Sequence, residues 1–366
     1  MKALVIAEKP SVARDIARVL KCGKKINGAI EGERYIVTWG LGHLVTLADP
    51  EDYDKKYKEW KIDVLPMKPA PFKLEVIKQT GKQFAAVKTQ IHRKDVNEII
   101  IATDAGREGE LVARLILEKA GSKKPIKRLW ISSVTDKAIR EGFAKLKNGH
   151  EYDALYDAAM CRAEADWLVG INATRALTCK YNAQLSCGRV QTPTLAMIAK
   201  REEKIRSFIP EGYYGMIAKG QNIMLTWQDQ KSKSYRSFDK EKMTGLMKKL
   251  DGQKAVVEEI KKTPKKTYAL LLYDLTELQR EANQRFGYSA KETLNIMQRL
   301  YENHKVLTYP RTDSRYLSKD IVPTIKDRLE ACGTGPYRKL AMTAKKKDLS
   351  GKLAFVNDAK VSDHHA

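Results

Sequence analysis

Two copies of one pattern constrain the fold of this chain more than any other feature. Residues Ala3–Ala7 form a short apolar run, followed by a polar loop and then by apolar residues at helical spacing. The pattern returns at Ile99–Ala102, with a second loop and a second helical stretch that opens at Val112. Strand, loop and helix in alternation are typical of an α/β domain with a largely parallel sheet.

Acidic residues follow both predicted strands. Glu8 comes directly after the first apolar run. Asp104 follows the second, and Glu108 and Glu110 lie in the same loop. Carboxylates in such loops commonly cap a helix or compensate its dipole, and that is our interpretation of Glu110. Glu8 and Asp104 fall at strand ends, where ligands of an α/β sheet bind.

A third informative segment is Val306–Ser318, with Tyr309 at its centre. Pro310 disfavours the α region for the residue before it, so Tyr309 is predicted on extended backbone after a helix. Positions two apart share a face of an extended segment, which places Arg311 on the same side. A phenol of pKa about 10 can attack a phosphodiester and leave again, while a guanidinium neutralises the phosphate oxygens. On this segment alone, a turn carrying one of sixteen tyrosines is the simpler interpretation.

The charge of the chain indicates a polyanionic partner. Its 68 Lys and Arg against 45 Asp and Glu give a net charge of +23. Nucleic acid is the first candidate rather than a membrane, because no apolar run is long enough to span a bilayer and the basic residues are spread out. Five scattered cysteines without a Cys-x-x-Cys pair suggest neither disulfides nor zinc. Glu8 interrupts the N-terminal apolar run, so we expect no export signal and a cytoplasmic location.

The segment around Tyr309 resembles that of a known family. Residues 307–314, Leu-Thr-Tyr-Pro-Arg-Thr-Asp-Ser, are similar to the active-site segment of type IA DNA topoisomerases, and the Tyr-Pro-Arg form is closest to the topoisomerase III branch. The acidic loops resemble a Toprim domain, in which a Glu and an Asp-x-Asp-x-Glu run gather carboxylates for Mg²⁺. Glu8, Asp104 and Glu108 match that motif, and Gly106 stands where its second Asp would be. The resemblance implies a Mg²⁺ site, and three carboxylates suit one octahedral ion.

A run at residues 186–193 resembles a DNA-binding signature of topoisomerase III. It reads Ser-Cys-Gly-Arg-Val-Gln-Thr-Pro, and Thr192 and Pro193 are favourable as the N-cap and first residue of a helix. Backbone N–H groups and an arginine at a helix N-terminus make a phosphate site. The residues implied to bind DNA here are Ser186, Cys187, Gly188, Arg189, Val190 and Gln191.

Five single residues are candidate DNA contacts with less specific signals, and all but Trp60 are implied by resemblance to the family. Arg162 and Asp166 are four apart on a predicted helix, where the ordinary interpretation is a surface ion pair. Arg175 lies in a segment similar to one of the family. Trp60 is interleaved with basic residues. It is interpreted either as a stacking platform for single strands or as a packed side chain. His364 resembles a histidine that contacts phosphate near the tyrosine.

Together these observations predict a multidomain chain of α/β, α and β parts. Strands are expected at residues 214–218, 223–227 and 255–260, and capped helices after Asp274 and Ser289. The family forms a closed ring, so we expect an N-terminal portion of a longer protein, with the returns that close the ring after Ala366. The expected domains are a Toprim (Rossmann-like) domain at 1–150, a helical DNA-binding part at 151–212, a β-rich hinge part at 213–268 and a helix-turn-helix-like domain with the tyrosine at 269–366.

The resemblance implies an ATP-independent, Mg²⁺-dependent enzyme that cleaves one DNA strand through a 5′-phosphotyrosine, passes a second segment and reseals the break, relaxing supercoils and separating linked duplexes. Tyr309 would attack, Glu8 would assist the leaving 3′ oxygen, and Lys9 and Arg311 would hold the phosphate. The alternatives are a Toprim-type nuclease or primase and a non-catalytic fragment that binds single-stranded DNA. The expected partner is single-stranded DNA, and a helicase is a candidate partner. The protein is expected to be a nucleoid-associated monomer without membrane contact.

Overall fold

The computed structural model describes residues 1–366 except Gln221, Lys352 and Ser362. The chain divides into two units, one formed by residues 1–189 and 269–366 and the other by residues 190–268. The four-domain division expected from the sequence is finer than this one and stays a prediction.

The first unit is built around a seven-stranded sheet of order β2-β3-β4-β1-β7-β8-β9, beside the separate pair β5-β6. Its strands are β1 (Lys2–Ala7), β2 (Lys24–Ile26), β3 (Ala29–Glu31), β4 (Tyr35–Trp39), β5 (Val45–Leu47), β6 (Leu74–Val76), β7 (Val96–Ala102), β8 (Ile126–Arg128) and β9 (Lys147–Asn148). β1 pairs in parallel with β4 and β7, and β7 with β8. The predicted α/β domain with a parallel sheet is confirmed.

Helices cover both faces of this sheet. Leu4 and Ile6 of β1 belong to one buried cluster, while Val5 belongs to the other. Burial on both faces explains why the central strands are continuous apolar runs rather than alternating ones. The helices of this part are α1 (Pro10–Val19), α2 (Pro50–Tyr53), α3 (Gly81–Ile91), α4 (Arg107–Ala120), α5 (Asp136–Ala144) and α6 (Asp153–Tyr181).

The helix α6 is a single helix of 29 residues, and its Ala159 joins the core on the α4 side. Its length alone does not make it a membrane segment. In the described part of the chain, no helix combines the length and the apolar character needed to cross a membrane.

The part of the first unit that carries Tyr309 is helical. Its helices are α9 (Leu275–Phe286), α10 (Ala290–Glu302), α11 (Ile325–Cys332) and α12 (Arg338–Lys345). Asp274 and Ser289 cap α9 and α10 by accepting backbone N–H bonds, as their sequence positions predict. Gly287 ends α9 in the left-handed conformation with φ 72°, which favours glycine.

The second unit contains the helix α7 (Gln191–Arg206), the strands β10 (Ile217–Lys219) and β11 (Met224–Thr226), and the helix α8 (Lys240–Leu250). The antiparallel pair β10-β11 corresponds to two of the three predicted strands. The third prediction, at residues 255–260, is wrong, since this stretch has no regular structure and Val256 is 81% exposed. Apolar β-branched residues do not form a strand without a partner for the backbone hydrogen bonds.

Candidate active site

Tyr309 lies close to the carboxyl ends of β1 and β7. The Nζ atom of Lys9 is 3.8 Å from the centre of the Tyr309 ring. The rings of His364 and Tyr301 lie 4.5 and 5.7 Å from it, centre to centre. These groups line a cavity of about 480 Å³, together with Asp104 and other residues of both strand ends and of the segment before Tyr309. The structure therefore brings the phenol to the acidic strand ends that the sequence singled out.

Two carboxylates meet at those strand ends because Ala7 of β1 is paired with Ala102 of β7. The Oε2 atom of Glu8 accepts a hydrogen bond from the backbone N–H of Asp104 at 3.2 Å. The Oδ2 atom of Asp104 lies 3.4 Å from Nζ of Lys9 and 3.3 Å from Nε2 of His364. Acidic and basic groups are thus interleaved beside the tyrosine ring.

The surroundings of these groups shift their pKa values in different directions. Burial raises the pKa of Glu8, and the Asp104 carboxylate raises it further. Burial also acts to raise the pKa of Asp104, but the His364 hydrogen bond and the Lys9 charge outweigh it and bring that pKa below its ordinary value. Burial acts to lower the pKa of Lys9, but Asp104 and Glu8 together raise it. Two carboxylates with opposite pKa shifts are suited to different roles, one holding a proton and one staying ionised.

The predicted position of Arg311 is not the one found. Tyr309 and Arg311 line different cavities, and Arg311 faces the one lined by Asp274, Thr312 and Asp313. The backbone bends at residues 307–308 and again at Pro310, so Tyr309 and Arg311 do not lie on one extended strand with a shared face. His364 lines both cavities.

The Glu108 side chain is not beside Glu8 and Asp104. It is more than half exposed, and its Oε1 atom lies 2.6 Å from Nη1 of Arg162. Within the residues that the structure describes, no three His, Cys, Asp or Glu side chains are grouped so that they could hold a metal ion. The donors that do meet, Glu8 and Asp104, are carboxylates, the ligand type that suits Mg²⁺.

The predicted DNA-binding residues form a chain of ion pairs on the surface. Arg162 lies between Glu108 and Asp166, with Nε 3.9 Å from Oδ2 of Asp166. Arg189 binds Asp166 with two hydrogen bonds of 2.5 and 3.1 Å. The exposed Ser186 and the half-buried Cys187 and Gly188 precede Arg189 in the first unit, whereas Val190 and Gln191 belong to the second.

The helix α7 begins two residues earlier than predicted. Val190 rather than Thr192 is its N-cap, without a side-chain capping bond, and Gln191 is the first helical residue. Cys187 is fixed by Thr174, whose hydroxyl accepts from its N–H at 2.9 Å and donates to its carbonyl at 3.2 Å. The segment before the helix is therefore held by α6.

Arg175 is buried rather than presented to solvent. Only 7% of it is exposed, and its Nη1 atom donates to the Tyr57 carbonyl at 2.5 Å. Its guanidinium lies 5.1 Å from the centre of the Trp60 ring, which is half exposed. Arg175 thus supports the Tyr57–Trp60 segment in this structure, and its predicted DNA contact stays a prediction.

Sequence reasoning missed a buried ion-pair network beneath the site. Glu110 is not a capping residue but is fully buried, bound to Arg114 and to Arg128 at 2.9 Å each. Arg128 is fully buried too and donates to the carbonyls of Thr103 and Asp104 at 2.8 and 2.6 Å. The sequence signal that could have indicated this network is the arginine of the short strand β8, Arg128. This network fixes the loop that carries Asp104.

A second missed contact joins the tyrosine-bearing part to the sheet. The Oδ2 atom of Asp320 accepts hydrogen bonds from the hydroxyls of Ser133 at 2.7 Å and Thr135 at 2.9 Å. Nothing in the local sequence of either segment indicates this pairing. Ser133 and Asp320 are 187 positions apart in the chain.

The fold and the strand-end site define the class of protein: residues 3–134 match the Toprim domain. Residues 150–366 match the family described as DNA topoisomerase, and the chain belongs to that family. The chain is 66% identical over 365 residues to DNA topoisomerase 3 of Bacillus subtilis (strain 168) and 66% identical over 366 residues to that of Bacillus cereus (strain ATCC 10987 / NRS 248). Each comparison covers 100% of this chain and 50% of the relative, so the chain spans about half the length of the curated relatives it matches.

A solved structure agrees with the sequence comparisons. Full-length topoisomerase I from Thermotoga maritima matches with a TM-score of 0.57 and 26% identity, over 90% of this chain and 52% of that one. The predicted resemblance to type IA topoisomerases, closest to topoisomerase III, is confirmed.

Proposed function

We propose that this chain carries the cleavage site of a type IA DNA topoisomerase. The Tyr309 oxygen would attack the phosphorus of one strand, forming a 5′-phosphotyrosine while the 3′ oxygen leaves and takes up a proton. Attack of that 3′ hydroxyl on the phosphotyrosine would reverse the step without ATP, because the ester bond conserves the energy of the broken one. The observation that carries this proposal is the placement of Tyr309 against Lys9 and His364 at the acidic strand ends.

The charged neighbours support distinct roles in that reaction. Glu8, whose pKa is raised by burial, is suited to deliver the proton to the leaving 3′ oxygen. Lys9, whose pKa is raised by the two carboxylates, stays charged and would hold the phosphate as a point charge. His364 would contact the same phosphate, and Arg311 would bind an adjacent one from the neighbouring cavity.

The metal we infer is Mg²⁺, held by Glu8 and Asp104. Bound there, it would supply positive charge next to the phosphate and the 3′ oxygen. The carboxylate chemistry of the strand ends fits a hard cation of this kind. Glu108 would contribute only by leaving its ion pair with Arg162.

We also infer the finer architecture and the substrate from the family. The chain would comprise Toprim, helical and β-rich parts with the boundaries given above and a helix-turn-helix-like domain at 269–366 that carries the tyrosine. Single-stranded DNA is the proposed substrate, and Arg189, Gln191 and Trp60 would contact it. The protein would be a monomer, and its candidate partner is a helicase. Relaxation and decatenation are proposed for the whole protein.

Trapping of a covalent adduct tests the cleavage step. The chain is incubated with a labelled single-stranded oligonucleotide, denatured and separated by electrophoresis. Tyr309→Phe should abolish the adduct and leave binding intact, because only the oxygen is removed. The matched control is Tyr301→Phe, which removes a hydroxyl from the same cavity and should leave the adduct.

The same assay separates the alternatives. Cleaved DNA without an adduct would indicate a Toprim-type nuclease. Binding with neither cleavage nor adduct would indicate a non-catalytic fragment. An adduct that persists in Tyr309→Phe would overturn the proposal.

A further inference from the structure

A second cavity adjoins the one that contains Tyr309. Its volume is about 510 Å³, and it is lined by residues of α5, of the edge strand β9 and of the tyrosine-bearing part. Residues 131–133, which follow β8 by a few positions, line both cavities. A strand that leaves the Tyr309 cavity over these residues therefore enters the second one.

Lysines give this second cavity its charge, and we call it the lysine cavity. Four lysines and three carboxylates line it: Lys137, Lys145, Lys147 and Lys319 with Glu141, Asp320 and Asp358. Glu141 lies 3.9 Å from Nζ of Lys137, and Asp358 lies 3.7 Å from Nζ of Lys319. Asp320 accepts the two hydroxyl hydrogen bonds from Ser133 and Thr135. Each carboxylate thus has a partner other than Lys145 or Lys147.

Lys145 and Lys147 keep their charges without a compensating carboxylate. Both are exposed, and neither forms a salt bridge within the part of the chain that the structure describes. The Nζ atom of Lys147 lies 6.0 Å from the centre of the Tyr152 ring, a contact that leaves its charge intact. Lysine ammonium groups hold phosphates as point charges, and two of them in one cavity suit a ligand with several phosphates.

An exposed aromatic residue lines the same cavity. Trp130 is 37% exposed, and its ring stacks on that of Tyr152, with 4.7 Å between the ring centres and 23° between the planes. The guanidinium of the buried Arg128 lies 4.9 Å from the centre of the Trp130 ring. The ring is therefore held in place while part of it stays open to solvent. Sites for single-stranded nucleic acid combine basic groups for the backbone with aromatic side chains for the bases.

The Tyr309 cavity has a second neighbour, the cavity that contains Arg311. Asp363 and His364 line both of these. Among the described residues, none lines both the lysine cavity and the Arg311 cavity. The Tyr309 cavity is thus joined to its two neighbours through different walls. A strand with one phosphate at Arg311 and the next at Tyr309 would continue into the lysine cavity.

We propose that the lysine cavity binds the single DNA strand on the side of the scissile phosphate away from Arg311. This inference rests on the proposed function and adds a subsite to it. Lys145 and Lys147 would hold phosphates, and Trp130 would contact a base. Lys319 belongs to the tyrosine-bearing part and Lys145 to the sheet part, so a strand bound here would contact both. It would favour the state in which the two parts are together, because a ligand stabilises the state that binds it more tightly.

The first test measures how the affinity for a single-stranded oligonucleotide depends on salt, by fluorescence anisotropy with the 366-residue chain. The double variant Lys145→Gln, Lys147→Gln should reduce the salt slope by about 1 to 2, because each lost phosphate contact releases fewer counterions. The matched control is Lys24→Gln, Lys25→Gln. It removes two exposed lysines from β2, at the opposite edge of the sheet, and should leave the slope unchanged.

The second test locates the bound strand. The photoreactive amino acid p-benzoylphenylalanine replaces Lys145 in one version of the chain and Lys25 in another. Both versions also carry Tyr309→Phe, which keeps the strand uncut. Irradiation should crosslink DNA at position 145 and not at position 25. The crosslinked nucleotides should lie within a few positions of the phosphate that the unaltered chain cleaves.

The results separate this inference from the proposed function. An equal salt slope in the two double variants, no crosslink at position 145 above that at position 25, or crosslinks far from the cleaved phosphate would overturn the role of the lysine cavity. If the Tyr309-dependent adduct still forms in those cases, the proposed cleavage function stands. A reduced slope and a crosslink at position 145 without any adduct would keep the lysine cavity as a DNA site and refute the cleavage function.

Discussion

The two halves of the candidate site are held in different ways. Glu8 and Asp104 follow paired parallel strands, and the loop of Asp104 is fixed from below by the buried Arg128. Tyr309 lies on an irregular segment, which reaches the sheet mainly through side-chain contacts such as those of Asp320. Segments with few buried backbone hydrogen bonds open at lower free energy than strands of a central sheet. The acidic half is therefore the fixed part of the site, and the tyrosine half is the part suited to move.

The largest expected effect comes from breaking the fixed half. Arg128→Ala removes one of the two arginines that pair with the buried Glu110 and the donor to four backbone carbonyls, so it should lower the free energy of unfolding by about 3–5 kcal/mol. Urea denaturation measures this. The control is the neighbouring Lys127→Ala, whose exposed pair with Glu98 should be worth about 0–1 kcal/mol. Equal losses in both variants would mean that the buried network does not hold the strand ends.

A smaller effect is expected at the link between the halves. Asp320→Ala removes two hydrogen bonds to a charged acceptor, which are worth about 1.5–3 kcal/mol each to the contact. Hydrogen exchange should therefore become faster around Tyr309 and stay unchanged in β1 and β7. Asp327→Ala, at an exposed position of α11, serves as the control. Faster exchange in both regions would show that the two halves open together and would remove the distinction between them.

The smallest effect concerns the surface that would guide DNA to the site. Affinity for single-stranded DNA should fall steeply with salt as counterions are released, and Arg189→Ala should reduce the salt slope by about 1. Fluorescence anisotropy at several salt concentrations measures this. Arg18→Ala is the matched control, because Arg18 forms a similar two-bond pair with Asp136 on an exposed helix. A salt slope that is the same in Arg189→Ala and the unaltered chain would exclude Arg189 from the phosphate contacts.

Local patterns predicted the regular elements of this fold well. The apolar runs gave β1 and β7, and the caps Asp274 and Ser289 gave the starts of two helices. These features depend on neighbours in sequence, so the sequence contains the information. The stretch 255–260 was mispredicted because a strand also depends on a distant partner.

The candidate site was predictable in part for the same reason. Glu8, Asp104 and Tyr309 follow from strand ends and a specific motif. The burial of Glu110 and Arg175 and the cavity of Arg311 depend on contacts between remote segments, which no local pattern reveals.

The central claim is that Tyr309 forms the bond to DNA with a fixed polarity. The most direct measurement uses two versions of one single-stranded oligonucleotide, labelled at the 5′ or the 3′ end, followed by peptide mapping of the adduct by mass spectrometry. We predict that only the 3′ label stays on the protein, since a 5′-phosphotyrosine retains the downstream fragment, and that the modified peptide contains Tyr309. An adduct that carries the 5′ label, or one that maps to another residue, would contradict the account.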